Sequence, residues 1–266
     1  MAVSTVSPVK DDEATLAAIS VLACMLTTML HEGVGHAAVA MVTLHASGVL
    51  TTLAWSSEGA SRLVEAGGTL VNLLTAGVVW LLLRQAKEAS AAWRYFLWAV
   101  MTFSLFAGTG YFFYSGVTDF GDWAAVIAGL TPHWLWRAGL VIVGIAAYYA
   151  AMQIVGRTVV WSLGVAPVES ARFQRLMVVT YIAALAIDGV AGLFNPFGLK
   201  YVLLSALAAT AGANSALLWM RKHLPEGLEA GPHRDPVRRS AAWIAVAAVL
   251  AIVFIAVLGP GVKLGH

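Results

Sequence analysis

The chain has 266 residues, of which 60% are apolar and only 11% charged, with a formal net charge of +2. Soluble domains run at roughly 45–50% apolar and about 25% charged, so the composition excludes a soluble globular domain and a disordered chain. A single cysteine excludes an internal disulfide. Lipid is the implied solvent, and the expected fold class is an all-α polytopic helical membrane protein.

A spanning helix takes roughly 20 mostly apolar residues. The leading MAVSTVSPVKDDEAT is polar and acidic, and the run behind it exceeds the apolar core of a signal peptide, so it reads as an uncleaved anchor. The first span, 14–45, is long enough to tilt or to extend beyond the hydrocarbon. Cys24 inside it reads as a small buried hydrophobe. At 43–61 the helical pattern breaks, and GVLTTLAW is rich in β-formers that suit a short hairpin, an interfacial loop being the alternative. Six more spans are expected at 64–84, 91–115, 133–155, 173–194, 198–220 and 240–259, about seven in all. The glycine-rich FAGTGYFFYSG at 106–116 suits close helix packing or a mobile gate. The polar stretch 221–240, punctuated by proline and glycine, reads as a cytoplasmic loop rather than a nucleic-acid site. With no soluble domain and no internal repeat, 1–266 reads as one membrane-embedded domain, with a core at 14–125 and additional helices at 133–259.

Orientation follows from the basic residues. With seven spans, twelve of the sixteen Lys and Arg fall on one side, including Arg84, Arg94, Arg172 and the cluster Arg234, Arg238 and Arg239. The expectation is an integral protein of the plasma (inner) membrane with a cytoplasmic N-terminus and a C-terminus outside. Trp93, Trp123, Trp134, Trp136 and Trp219 fall near span ends, as an aromatic belt would.

Ionisable groups inside hydrocarbon are costly and mark function by default. Few remain once loops are set aside: His31, Glu32 and His36 in the first span, Glu65 at the mouth of the second, and Asp188 in the fifth. Asp119 and Asp122 lie in SGVTDFGDW just beyond the third. All belong to the outward half. With seven histidines and eight glutamates, a chance His-Glu-x-x-x-His is expected only about 0.006 times. Histidine supplies neutral nitrogen ligands to zinc, and an adjacent glutamate can serve as base toward the water. Polar residues bonding to neighbouring helices are the plainer reading of the same cluster.

On a regular helix His31 and His36 point about 140° apart. A π-bulge, eased by Gly33 and Gly35, would absorb the extra residue and bring both to one face while leaving Glu32 beside the metal. The rival register keeps the helix regular and uses Glu32 and His36 as ligands.

HEGVGHAAVA in a long first span, followed by EAGGTLVNLLTAGVVWLLL at 65–83, resembles the site-2 protease type of intramembrane zinc metallopeptidase. That family has a His-Glu-x-x-His helix and then a Gly-x-x-x-Asn segment, matched here by Gly68 through Asn72. The resemblance implies that His31 and His36 bind Zn2+, that Glu32 acts as base, and that Asn72 positions substrate or stabilises the oxyanion. It also implies that the 48–55 segment offers an edge to which substrate adds as a strand. For Gly68 and Asn72 the bland reading is close packing with one interhelical hydrogen bond. The sequence departs from the family in the extra residue and in the order of Asp188-Gly189 and Asn195-Pro196. Asp122, on a glycine-flanked turn, is the preferred third ligand, with Asp188 and Asp119 as alternatives.

The function expected is zinc-dependent endoproteolysis of membrane-associated or transmembrane peptide substrates near the extracytoplasmic side. Its expected partners are lipid and a membrane-protein or peptide substrate, with no nucleic acid. A transporter or metal-binding membrane protein built on the same cluster, or a non-catalytic relative, is the alternative.

Overall fold

Four of the long helices start on a side-chain cap of the kind that satisfies the orphan N–H groups of a first turn. Asp12 accepts from Thr15 N at 2.9 Å, and Ser61, Ser90 and Ser240 accept from the backbone three residues on. In this computed structural model residues 10–86, 88–165, 170–199, 203 and 210–265 are described. Helix α1 (Glu13–Met29) runs through a π-helical segment, Leu30–Ala38, into α2 (Val39–Leu44). A hairpin of β1 (Gly48–Leu50) and β2 (Trp55–Ser57) follows. Next come α3 (Arg62–Gln85), α4 (Ala91–Thr118), the short α5 (Asp122–Ile127), α6 (His133–Ser162) and α7 (Ser170–Gly192). The short α8 (Ala216–Trp219), then α9 (Ala241–Val253) with a π-helical extension to Leu258, and finally β3 (Val262–Leu264) complete the order.

The protein is a polytopic helical membrane protein, with six helices among the described residues long and apolar enough to cross a bilayer. They coincide with six of the seven predicted spans, α6 running on to Ser162. The predicted span 198–220 lies partly outside the described residues. Its described flanks sit at opposite ends of the bundle. Phe194 packs against Gly259 beyond the last helix, whereas the His223 carbonyl accepts from Gln153 Nε2 at the other end.

The core forms where α1 packs against α4, α7 and α9. Its largest fully buried side chains include Trp98, Tyr95 and Phe106. Buried hydroxyls in lipid need partners from neighbouring helices: Tyr95 Oη lies 2.8 Å from Ser20 Oγ and 2.6 Å from Thr180 Oγ1. The outer surface is apolar, with Leu74, Ile142 and Ile252 each about two-thirds exposed. In water such a surface would aggregate; in lipid it is solvated. Within 106–116, Gly108 packs against Leu73 and Gly110 against Ala213, so these glycines hold close helix contacts.

The two ends of the bundle differ in chemistry. At one end Arg172 pairs with Asp11 in a two-pronged contact of 2.8 and 3.1 Å, and Arg94, Arg175 and Arg239 pair with Asp235, Glu13 and Asp12. At the other end lie the hairpin, α5 and the start of α3. The hairpin expected from GVLTTLAW is present, with Val49 opposite Ser56, and β3 adds to its far side, with Val49 opposite Lys263. Among the described residues the sheet order β2-β1-β3 therefore leaves the outer edge of β2 unpaired by strand.

Candidate metal centre

The π-helical segment resolves the spacing problem of the first span. Hydrogen bonding from i to i+5 places residues five apart on one face, and the Nε2 atoms of His31 and His36 stand 3.2 Å apart. The regular-helix register, with Glu32 and His36 paired, is not adopted. Instead Glu32 Oε2 accepts from the backbone N–H of Trp55 on β2 at 2.9 Å, and Oε1 lies 3.9 Å from His31 Nε2. Glycine makes the close approach of α3 possible. Gly35 lies against Gly67 and Gly68, and a Cβ on Gly68 would stand 2.5 Å from both Nε2 atoms.

Asp122 is brought to the same point by α5. Gly121, at φ 85°, turns the chain into that helix in a conformation that side chains disfavour. Asp122 Oδ2 lies 3.1 Å from His31 Nε2 and 3.4 Å from His36 Nε2. Burial pushes the Asp122 carboxyl up, but hydrogen bonds and charge from His31 and His36 outweigh it and hold the group below the usual carboxylate range. The other two aspartates are engaged elsewhere. Asp119 faces His133 at 3.0 Å and Arg137 at 3.7 Å, and Asp188 Oδ2 accepts from Thr210 at 2.7 Å.

The donor set fits a zinc-sized ion. Zinc takes His nitrogen and carboxylate oxygen at about 2.0–2.2 Å in tetrahedral geometry, which sets neighbouring ligand atoms about 3.3–3.5 Å apart. The three separations here, 3.2, 3.1 and 3.4 Å, are close to such a triangle. Metal-binding histidines orient their second nitrogen with a further partner. His36 Nδ1–H donates to the Val64 carbonyl at 2.7 Å, which leaves Nε2 available to a metal ion. His31 Nδ1 lies 3.0 Å from Asn72 Nδ2, while the buried Oδ1 of the same amide has no partner. Turning the amide over lets Nδ1–H donate to Oδ1 and leaves Nδ2 as the amide atom without a partner among the described residues. Asn72, implied by resemblance to face substrate, thus has its amide against His31.

Three partners were not evident in the sequence. Tyr111 stacks on the His31 ring at 5.2 Å between centroids and 22° between planes. Val64 contributes only its carbonyl. Trp123 Nε1 donates to Thr69 Oγ1 at 3.0 Å, which ties α5 to α3 beside Asp122. The signal was the position of Trp123 beside Asp122 and of Thr69 beside Gly68. Trp123→Phe keeps the ring packing on Phe112 and deletes the donor. Outer partners of ligands are commonly worth 10–100-fold in metal affinity. Both Trp123→Phe and Thr69→Val should weaken zinc binding by about tenfold in a chelator competition, and the double variant should be no weaker than either. Additive losses would show that the two do not act through one bond.

The centre stands between two spaces. An inner cavity of about 460 Å³ reaches His31, Asn72 and, farther in, Asp188. An outer pocket of about 340 Å³ reaches His36, Asp122, Glu65 and β2. Glu32 and Tyr111 line both. Among the described residues, His31, His36 and Asp122 are the one group of three or more metal-ligating side chains within ligand distance of one another. In comparisons with known proteins, no family model, no curated protein and no solved structure matches the chain.

Proposed function

We propose that the protein is an intramembrane zinc-dependent endopeptidase that cuts membrane-associated or transmembrane peptides near the extracytoplasmic face. The observation that carries this reading is a carboxylate, Glu32, held beside a His–His–Asp triad on the wall of a pocket shared with the edge of β2. A purely structural site has no use for that carboxylate. The orientation rests on the basic residues gathered at the far end of the bundle, which belong on the cytoplasmic side.

His31, His36 and Asp122 would hold the ion. When bound, it supplies Lewis acidity that activates water and polarises a carbonyl. Glu32 takes the proton from the attacking water as that oxygen bonds to the scissile carbonyl carbon, and returns it to the leaving amine as the C–N bond breaks. The Trp55 N–H on Oε2 holds the carboxylate in place and leaves Oε1 for this transfer. With Oδ1 engaged by His31, Asn72 presents Nδ2 to the developing oxyanion, which accommodates the role implied by resemblance. An extended peptide adds along the outer edge of β2, where Ser56 and Ser57 line the pocket.

The test is Glu32→Gln in proteoliposomes carrying a single-span reporter substrate. The variant should retain its zinc and lose cleavage by about 10²–10⁴-fold, the usual worth of a general base. Wild-type cleavage by the variant would sink the base assignment. Absence of cleavage by zinc-loaded wild type across a reporter panel would favour a metal-binding membrane protein without peptidase activity.

A further inference from the structure

The inner cavity has a second polar end that the metal centre does not use. Cys24 lies seven residues before His31 on the same helix, about 10 Å deeper at the rise of an α-helix. Its thiol donates to Asp188 Oδ2 at 3.4 Å, and Thr210 Oγ1 donates to the same oxygen at 2.7 Å. Asp188 is only 6% exposed, and its Oδ1 has no partner among the described residues. Asn214, equally buried, also has an unpartnered Oδ1. Both residues line the cavity, and among the described residues no lysine or arginine lines it.

Both unmatched atoms can accept hydrogen bonds. A carboxylate with neutral donors on one oxygen and none on the other leaves its charge uncompensated in a low-dielectric setting, which is costly. A ligand that completes this end must bring donors and positive charge. A guanidinium fork asks for both oxygens of one carboxylate, and Oδ2 is already taken. A compact ammonium, with three donors, suits two acceptors on separate elements. The remaining wall is largely apolar, and Phe113, Ile145 and Tyr149 line the cavity while being 43–56% exposed on the lipid-facing surface. An aliphatic stem can therefore enter from lipid.

We propose that Asp188 and Asn214 form a binding site for an aliphatic primary ammonium group whose apolar stem lies along the inner cavity. The ammonium can belong to a lysine side chain of a peptide drawn to the metal centre or to a free alkylamine. Only the first source rests on the peptidase reading.

The test uses the purified full chain in maltoside micelles with n-octylamine, n-octanol and octyltrimethylammonium as probes, followed by equilibrium dialysis. Octylamine should bind about tenfold tighter than either of the others, as a charged hydrogen bond predicts. The quaternary probe carries the charge without donors, so a micelle-surface effect would favour it equally. Asp188→Asn should abolish the preference while octanol binding stays the same. Thr210→Val, which keeps the carboxylate, should preserve it, so the proposal remains testable on wild type and this variant even if Asp188→Asn misfolds. Equal binding of the three probes, or a preference that survives in Asp188→Asn, overturns the site. Competition against octylamine by a membrane peptide with one lysine, but not by its norleucine counterpart, supports the site and assigns the ammonium to a peptide. Octylamine binding with no competition from either peptide supports the site with a free amine as ligand.

Discussion

His31→Ala and His36→Ala protein should each purify with less than about a tenth of the zinc of wild type, which should itself carry close to one equivalent. Catalytic zinc sites use three protein ligands, and the triangle of His31, His36 and Asp122 supplies three. Removing either imidazole leaves two ligands and a hole beside a buried carboxylate. Asp122→Asn should lower affinity strongly by removing the one anionic ligand. Asp119→Asn and Asp188→Asn are the informative controls. Their carboxylates are committed to His133 and Arg137 in one case, and to Thr210 and Cys24 in the other, so both variants should keep the metal. Elemental analysis of protein purified without added metal decides the matter. Unchanged zinc in the His36 variant would remove the site from consideration.

Gly68→Ala should be equally destructive, for a steric reason rather than a chemical one. Judged as a helix-interior substitution, glycine to alanine stabilises by about 1 kcal/mol. At Gly68 the added methyl would lie 2.5 Å from the ligand nitrogens of both histidines, closer than any van der Waals contact. The imidazoles would have to separate, and the zinc should be lost. Gly77→Ala, on the same helix with nothing within 4 Å of the added methyl, shows what propensity alone does and should keep both metal and fold. Metal content and thermal unfolding of the pair separate the two effects. Full zinc affinity in Gly68→Ala would mean that the approach of α3 to the π-helical segment does not shape the site.

What could be read in advance had a physical pattern behind it. Spans follow from hydropathy because lipid forces backbone groups into helices. The His31–His36 interval is legible because five residues cannot share a face on a regular helix, so only a local widening or a change of ligands accommodates it. Asp122 stood out through the glycines around it. Less was legible where the cause is long-range. β3 is three residues long, and its partner strand lies before five of the spanning helices, so no local pattern announces it. Val64 acts through its carbonyl, which any residue has. The bond from Trp123 to Thr69 depends on how α5 packs against α3, which residue spacing does not show. The orientation of the Asn72 amide depends on which nitrogen of His31 is protonated, and sequence does not carry that.

The pairing of β3 with β1 also sets an order of assembly. During vectorial synthesis the hairpin beside Glu32 exists as soon as the first span has emerged, but one of its two outer edges has no mate until every later helix has been made. An unmated strand edge is sticky, and contacts between remote segments form late. The triad's own components, drawn from the first span, α3 and α5, are all in place well before that. The nascent chain can therefore bring His31, His36 and Asp122 together before its sheet closes, and β3 acts as the last stitch, fixing the wall of the pocket after the floor is laid.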